Sequence, residues 1–148
     1  MNLLDTVLDA EIPTPELLGE SEAFAAIVLL ATVSDSYLTN EQERHISYIL
    51  SRSKLLRGHS PDTIHKLLHR ILDILWQDGF NALFNLAKES LSPELRTAAF
   101  ALSADLVLGE ASVTDEEKNF LNDFYQALDI SRDLAIQILQ ATAIKYQA

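Results

Sequence analysis

The sequence predicts an all-α fold: a compact bundle of about seven helices built on two related αα-hairpins. Three observations predict it. Apolar residues recur at i, i+3, i+4 and i+7 along most of the chain. The four Gly and four Pro fall mostly where such stripes start or stop. No segment sustains the two-residue alternation, bounded by hairpin turns, that marks paired strands.

Taken in order, residues 1–15 read as an N-terminal arm. Thr14-Pro15-Glu16 opens the first helix, because a first-turn residue has no intrahelical use for its N–H. Phe24, Ile27, Val28 and Ala31 continue at near-helical spacing. The apolar run Ala23 to Val33 is eleven residues, short of the roughly 20 that span a bilayer, so it reads as a buried core helix. Thr39 caps the next helix, with Gln42 closing a capping box, and Ile46, Ile49 and Leu50 form its stripe. That helix is expected to end near Gly58, after Arg52, Lys54 and Arg57.

Ser60-Pro61-Asp62 starts a third helix, whose stripe is Ile64, Leu67, Leu68, Ile71, Leu72 and Leu75, ended by Asp78-Gly79. A short helix, about Phe80 to Lys88, follows. Ser92-Pro93-Glu94-Leu95 opens the next, and Gly109 closes it. Thr114 and Glu117 repeat the capping box, and Ser131 caps a last helix with Leu134, Ile138, Leu139 and Thr142 as its stripe. Trp76 and the six Phe are read as core, and His45 as partly buried.

A shift of 75 aligns Leu38-Thr39-Asn40-Glu41-Gln42 with Val113-Thr114-Asp115-Glu116-Glu117, Ile46 with Leu121, Ile49 with Phe124 and Asp35 with Glu110. Each copy is an apolar helix, a loop opened by an acid, a Thr cap and a second helix. The copies span about 22–57 and 95–130 within one domain, 1–148.

Charge is uneven. The 148 residues carry net −11, but residues 44–70 hold six bases, one acid and all four histidines. The flanking segments are strongly acidic. The overall balance argues against nucleic acid as a partner, since phosphate needs a basic face. The basic segment 44–70 is a candidate surface for a homodimer or a metal-independent interaction scaffold. No basic residue precedes Arg44, so no signal-peptide n-region opens the chain, and the expected location is the cytoplasm without direct membrane insertion. No cysteine is present, which excludes thiolate metal sites and cysteine nucleophiles.

The loops hold the chemistry. Glu110, Asp115, Glu116 and Glu117 place four carboxylates within eight residues, and Asp35 opens the matching loop. Hard cations of the Ca²⁺ or Mg²⁺ type are held by such oxygens. The same acids also suit a first helical turn, where the helix dipole favours them. His65 and His69 lie one turn apart near Asp62 and Asp73, the spacing of a two-histidine half-site. They sit on the polar side of the Leu stripe and read more simply as a solvated, titrating face. Neither HExxH, a P-loop, GxGxxG nor GxSxG occurs.

The stretch Arg96-Thr97-Ala98-Ala99-Phe100-Ala101-Leu102-Ser103-Ala104-Asp105-Leu106-Val107-Leu108, the loop Glu110 to Glu117 and Phe120-Leu121 resemble the tellurite-resistance TerB-like family. The resemblance runs from about Ala23 to Tyr146. It implies a helical fold of two related halves, each with an Asp-Gly loop and a Glu seven positions after the Asp. It further implies a divalent cation held by the acidic cluster, a setting in tellurite and chemical stress, membrane-associated protein partners and no enzymatic activity. The family Asp falls on Asp35 and Glu110, its Gly on Ser36 and Ala111, and its Glu on Gln42 and Glu117. Each half therefore departs at two of three places. The expected metal residues are Glu110, Glu117, Asp115, Glu116 and Asp35.

Overall fold

Helix α1 (Glu20–Leu30) has no solvent face along most of its length, because Ala23 to Leu30 are all buried. A helix apolar all round must be surrounded by others, and the rest of the molecule is arranged accordingly. The computed structural model describes residues 18–33, 38–109 and 112–147. Within them lie α1, α2 (Asn40–Ser51), α3 (Pro61–Asp78), α4 (Phe80–Glu89), α5 (Pro93–Leu108), α6 (Asp115–Ala127) and α7 (Arg132–Lys145), with no strand among the described residues. Helix α1 packs chiefly on α4 and α5, then on α3. Helices α2 and α3 pair, and α7 lies on α5. The first helices of the two sequence repeats, α1 and α5, are therefore packed on each other at the centre. The arm 1–15 and the Thr14-Pro15-Glu16 start lie outside the described residues.

The caps follow the local sequence. Thr39 Oγ1 accepts from Gln42 N at 3.1 Å and Gln42 Oε1 accepts from Thr39 N at 2.9 Å. Thr114 and Glu117 repeat this at 3.1 and 3.0 Å. Ser60, Ser92 and Ser131 each accept from the backbone three residues on. Gly79, at φ +88°, makes the sharp break between α3 and α4 that a residue with a Cβ rarely adopts.

Five expectations are corrected. Helix α2 ends at Ser51, and a turn region replaces its last part up to Gly58. Beyond that end Ser53 makes local bonds of its own: its hydroxyl donates to Leu50 O at 2.7 Å and accepts from Leu56 N. Trp76 is not core but 78% exposed. It follows His69 and Asp73 at i+7 and i+3, on the polar side of α3. Phe80 is at the surface too, 36% exposed. His45 is exposed because Glu41, His45 and Tyr48 form the solvent stripe of α2. In α7 the buried residue is Ala135, one place beyond Leu134, which is exposed. The inward stripe there is Ala135, Ile138, Leu139 and Thr142. No helix among the described residues is long and apolar enough to cross a membrane.

Candidate functional site

Two places among the described residues are candidates for a site. One is a cleft of about 560 Å³ where the second helices of both repeats begin. Its floor is Leu30, Ala31, Val33, Val107, Phe80 and Phe120, and its lip holds Gln42, Thr114, Glu116 and Glu117. The capping boxes explain the placement: each fixes its third residue at the mouth of its own helix, and the packing of α1 on α5 brings the two mouths together. Phe80 and Phe120 belong to an aromatic seam between α4 and α6. Phe80 stacks on Phe84, Phe84 meets Phe124 at 5.7 Å between ring centres, and Phe124 stacks on Phe120 at 4.8 Å.

Of the expected metal residues, Asp35 and Glu110 lie outside the described residues. Glu117 is in the cleft, with Oε1 accepting from Thr114 N and, at 3.1 Å, from Thr114 Oγ1. Glu116 is exposed on the lip. Asp115, 96% exposed, lies 3.8 Å from Lys118 Nζ and does not line the cleft. Among the described residues, these acids do not place three ligand oxygens together.

One group does. Glu43, His65 and His69 have ligand atoms all within 4.8 Å of one another. His65 Nδ1 is 2.5 Å from Glu43 Oε2, and His69 Nε2 is 2.6 Å from Glu43 Oε1. The rings are 4.2 Å apart. Partial burial of Glu43 alone raises its carboxyl, but the two histidine hydrogen bonds and their attraction outweigh this and hold it below its usual range. The histidine pair was legible in the sequence, and its partner was not. Asp62 and Asp73 were the expected neighbours, yet Asp62 pairs with Lys66 at 3.1 Å and neither acid belongs to the group. Glu43 lay unnoticed in an acidic first turn. The available signal was that it extends the Ile46–Leu50 stripe backwards by one step, onto the side of α2 that faces α3.

The basic segment is partly neutralised. Besides the Lys66–Asp62 pair, Arg70 Nη1 lies 3.2 Å from Glu22 Oε2, and Arg52 lies over the Tyr48 ring. Comparison with protein-family models, with curated proteins and with solved structures returns no match.

Proposed function

We propose that this chain is a non-enzymatic, TerB-like helical module that recruits a protein partner through the cleft between its two halves. The observation that supports it is the convergence of Gln42 and Glu117, equivalent positions 75 residues apart, on one apolar-floored cleft. The matching occupant is an amphipathic helix of the partner with a basic flank. Its apolar anchors fit a floor of Leu30, Val33, Val107, Phe80 and Phe120, and Glu116 draws its Lys or Arg. A Ca²⁺- or Mg²⁺-type ion at Asp35, Glu110, Glu116 and Glu117 belongs to the same proposal as a modulator, with Asp115 left out because it pairs with Lys118 away from the cleft. By neutralising the lip it weakens the attraction for a basic segment. Membership of a tellurite and chemical-stress response, with membrane-associated partners, rests on the family resemblance. The alternative, a metal-independent scaffold or homodimer on segment 44–70, draws less support because Lys66 and Arg70 are engaged within the chain.

Calorimetry with a Lys/Leu amphipathic peptide and its Glu/Leu counterpart tests the proposal. The basic peptide is expected to bind saturably, and Glu116→Lys or Phe80→Ser to weaken it by about tenfold, close to 1.4 kcal/mol. Saturating Ca²⁺ should lower the affinity if the lip takes the ion. Equal binding of both peptides, or variants that bind like the parent chain, overturns the reading.

A further inference from the structure

We propose that Glu43, His65 and His69 form a transition-metal site of the Zn²⁺ class that clips α2 to α3 and leaves one coordination position open. This goes beyond the cleft and does not depend on it. The donor set is two imidazole nitrogens and a carboxylate oxygen. That mixture suits Zn²⁺, Co²⁺, Ni²⁺ or Cu²⁺, whereas Ca²⁺ and Mg²⁺ prefer oxygen throughout. The site thus differs in ligand chemistry, as well as in place, from the acidic loops.

The geometry is close to what an ion needs. Four-coordinate zinc, bonded at about 2.0–2.1 Å, sets its ligands roughly 3.3 Å apart. The three ligand atoms here already lie within 4.8 Å, and the two nitrogen–oxygen contacts are 2.5 and 2.6 Å. Inserting an ion spreads those two contacts by less than an ångström or so. The side chains can move that far, since those of His65 and His69 are 52% and 51% exposed while Glu43, at 20%, anchors them. The backbone beneath is held by buried Ile46, Ile49 and Leu50 on α2 and Ile64, Leu68 and Ile71 on α3. Without an ion, ring N–H groups bond the carboxylate. With one, each ring turns a lone pair inward and carries its proton on the other nitrogen.

What the site lacks also defines it. The residue after His65 is Lys66, which pairs with Asp62, so the carboxylate base of an HExxH metallopeptidase is not there. An ion held by three ligands at a surface keeps water, or a donor from another molecule, in its fourth position. The expected role is a structural clip between α2 and α3.

The test uses the full, untagged chain after chelator treatment. Zn²⁺ at about pH 7.5, where imidazole is mostly neutral, should bind at one saturable site. It should raise the melting midpoint by roughly 5–10 °C at a hundredfold excess over Kd. Co²⁺ should show the visible absorption of a low-coordinate ion, and Ca²⁺ and Mg²⁺ should not produce the shift. Glu43→Gln, His65→Gln and His69→Gln should each weaken Zn²⁺ at least about tenfold, whereas His45→Ala with His59→Ala should bind like the parent chain. Should a site variant fail to fold, imidazole NMR of the unaltered chain gives the same answer: Zn²⁺ must shift His65 and His69 and spare His45 and His59. The proposal is overturned by absent Zn²⁺ binding, by His65→Gln/His69→Gln binding undiminished, or by imidazole shifts confined to His45 and His59.

Discussion

The two repeats share their caps and differ in almost everything the caps hold up. Thr39 and Thr114 open α2 and α6 with the same reciprocal hydrogen bonds. Yet α1 is buried on every side, while its counterpart α5 buries Ala99, Phe100, Ser103, Ala104, Leu106 and Val107 and leaves its remaining side partly open. The second helices diverge too. Helix α2 reaches across to α3 through Glu43, whereas α6 is joined to α4 by phenylalanines. Local hydrogen bonds thus set where each helix starts, and the neighbours decide what each helix is used for.

The sharpest way to break this comparison is to cut the same position in both first helices. Ile27, fully buried, corresponds to Leu102, which is only partly buried. Ile27→Ala is expected to cost about 2–5 kcal/mol, because the void it leaves is walled in on all sides. Leu102→Ala is expected to cost about 1–2 kcal/mol, since part of that side chain already faces water. Urea unfolding of the two variants measures both. Equal losses would mean that α1 is not the central helix.

The caps should respond alike where the core responds differently. Thr39→Ala and Thr114→Ala should each cost about 1 kcal/mol. Their third residues carry a subtler test. A carboxylate at a helix N-terminus is favoured by the dipole, so Gln42→Glu would help an isolated α2. In the folded chain Gln42 and Glu117 line one cleft, and two carboxylates there repel. Gln42→Glu is expected to destabilise the parent chain and to stabilise the Glu117→Gln chain, with a coupling of about 0.5 kcal/mol or more in a double-mutant cycle. No coupling would mean that the two helix mouths do not meet.

Features built from near neighbours in sequence were the legible ones. The Ser and Thr caps, the Gly79 break and the buried run from Ala23 each depend on residues within one or two turns. Trp76 is apolar, but its angular position puts it with His69 and Asp73 on the solvent side of α3. Helix α2 ends at Ser51, before the basic residues that suit a C-terminus, and Ser53 turns to local bonds with Leu50 and Leu56. Glu43 could not be paired with His65 and His69 from spacing alone. The contact crosses two helices, 22 and 26 residues apart, and depends on how α2 and α3 pack. Sequence showed two of the three members of that cluster, and packing supplied the third.

The smallest expected effect separates two acids that sit in comparable ion pairs. The Glu43 carboxyl lies below its ordinary value of 4.5, its partial burial outweighed by the two histidines. The Asp129 carboxyl lies below its ordinary value of 3.8, held down by the Lys88 hydrogen bond and charge, with Arg96 adding to it. A carboxyl depressed in the folded chain stabilises above its unfolded value, and the gain is lost as pH falls through the folded one. The stability difference between the parent chain and Glu43→Gln should therefore shrink as pH drops below 4.5. The corresponding difference for Asp129→Asn should persist lower, shrinking only below 3.8. Urea midpoints across the acid range read both differences. A Glu43 difference that stays flat across that range would show that the two histidine contacts do not lower its carboxyl.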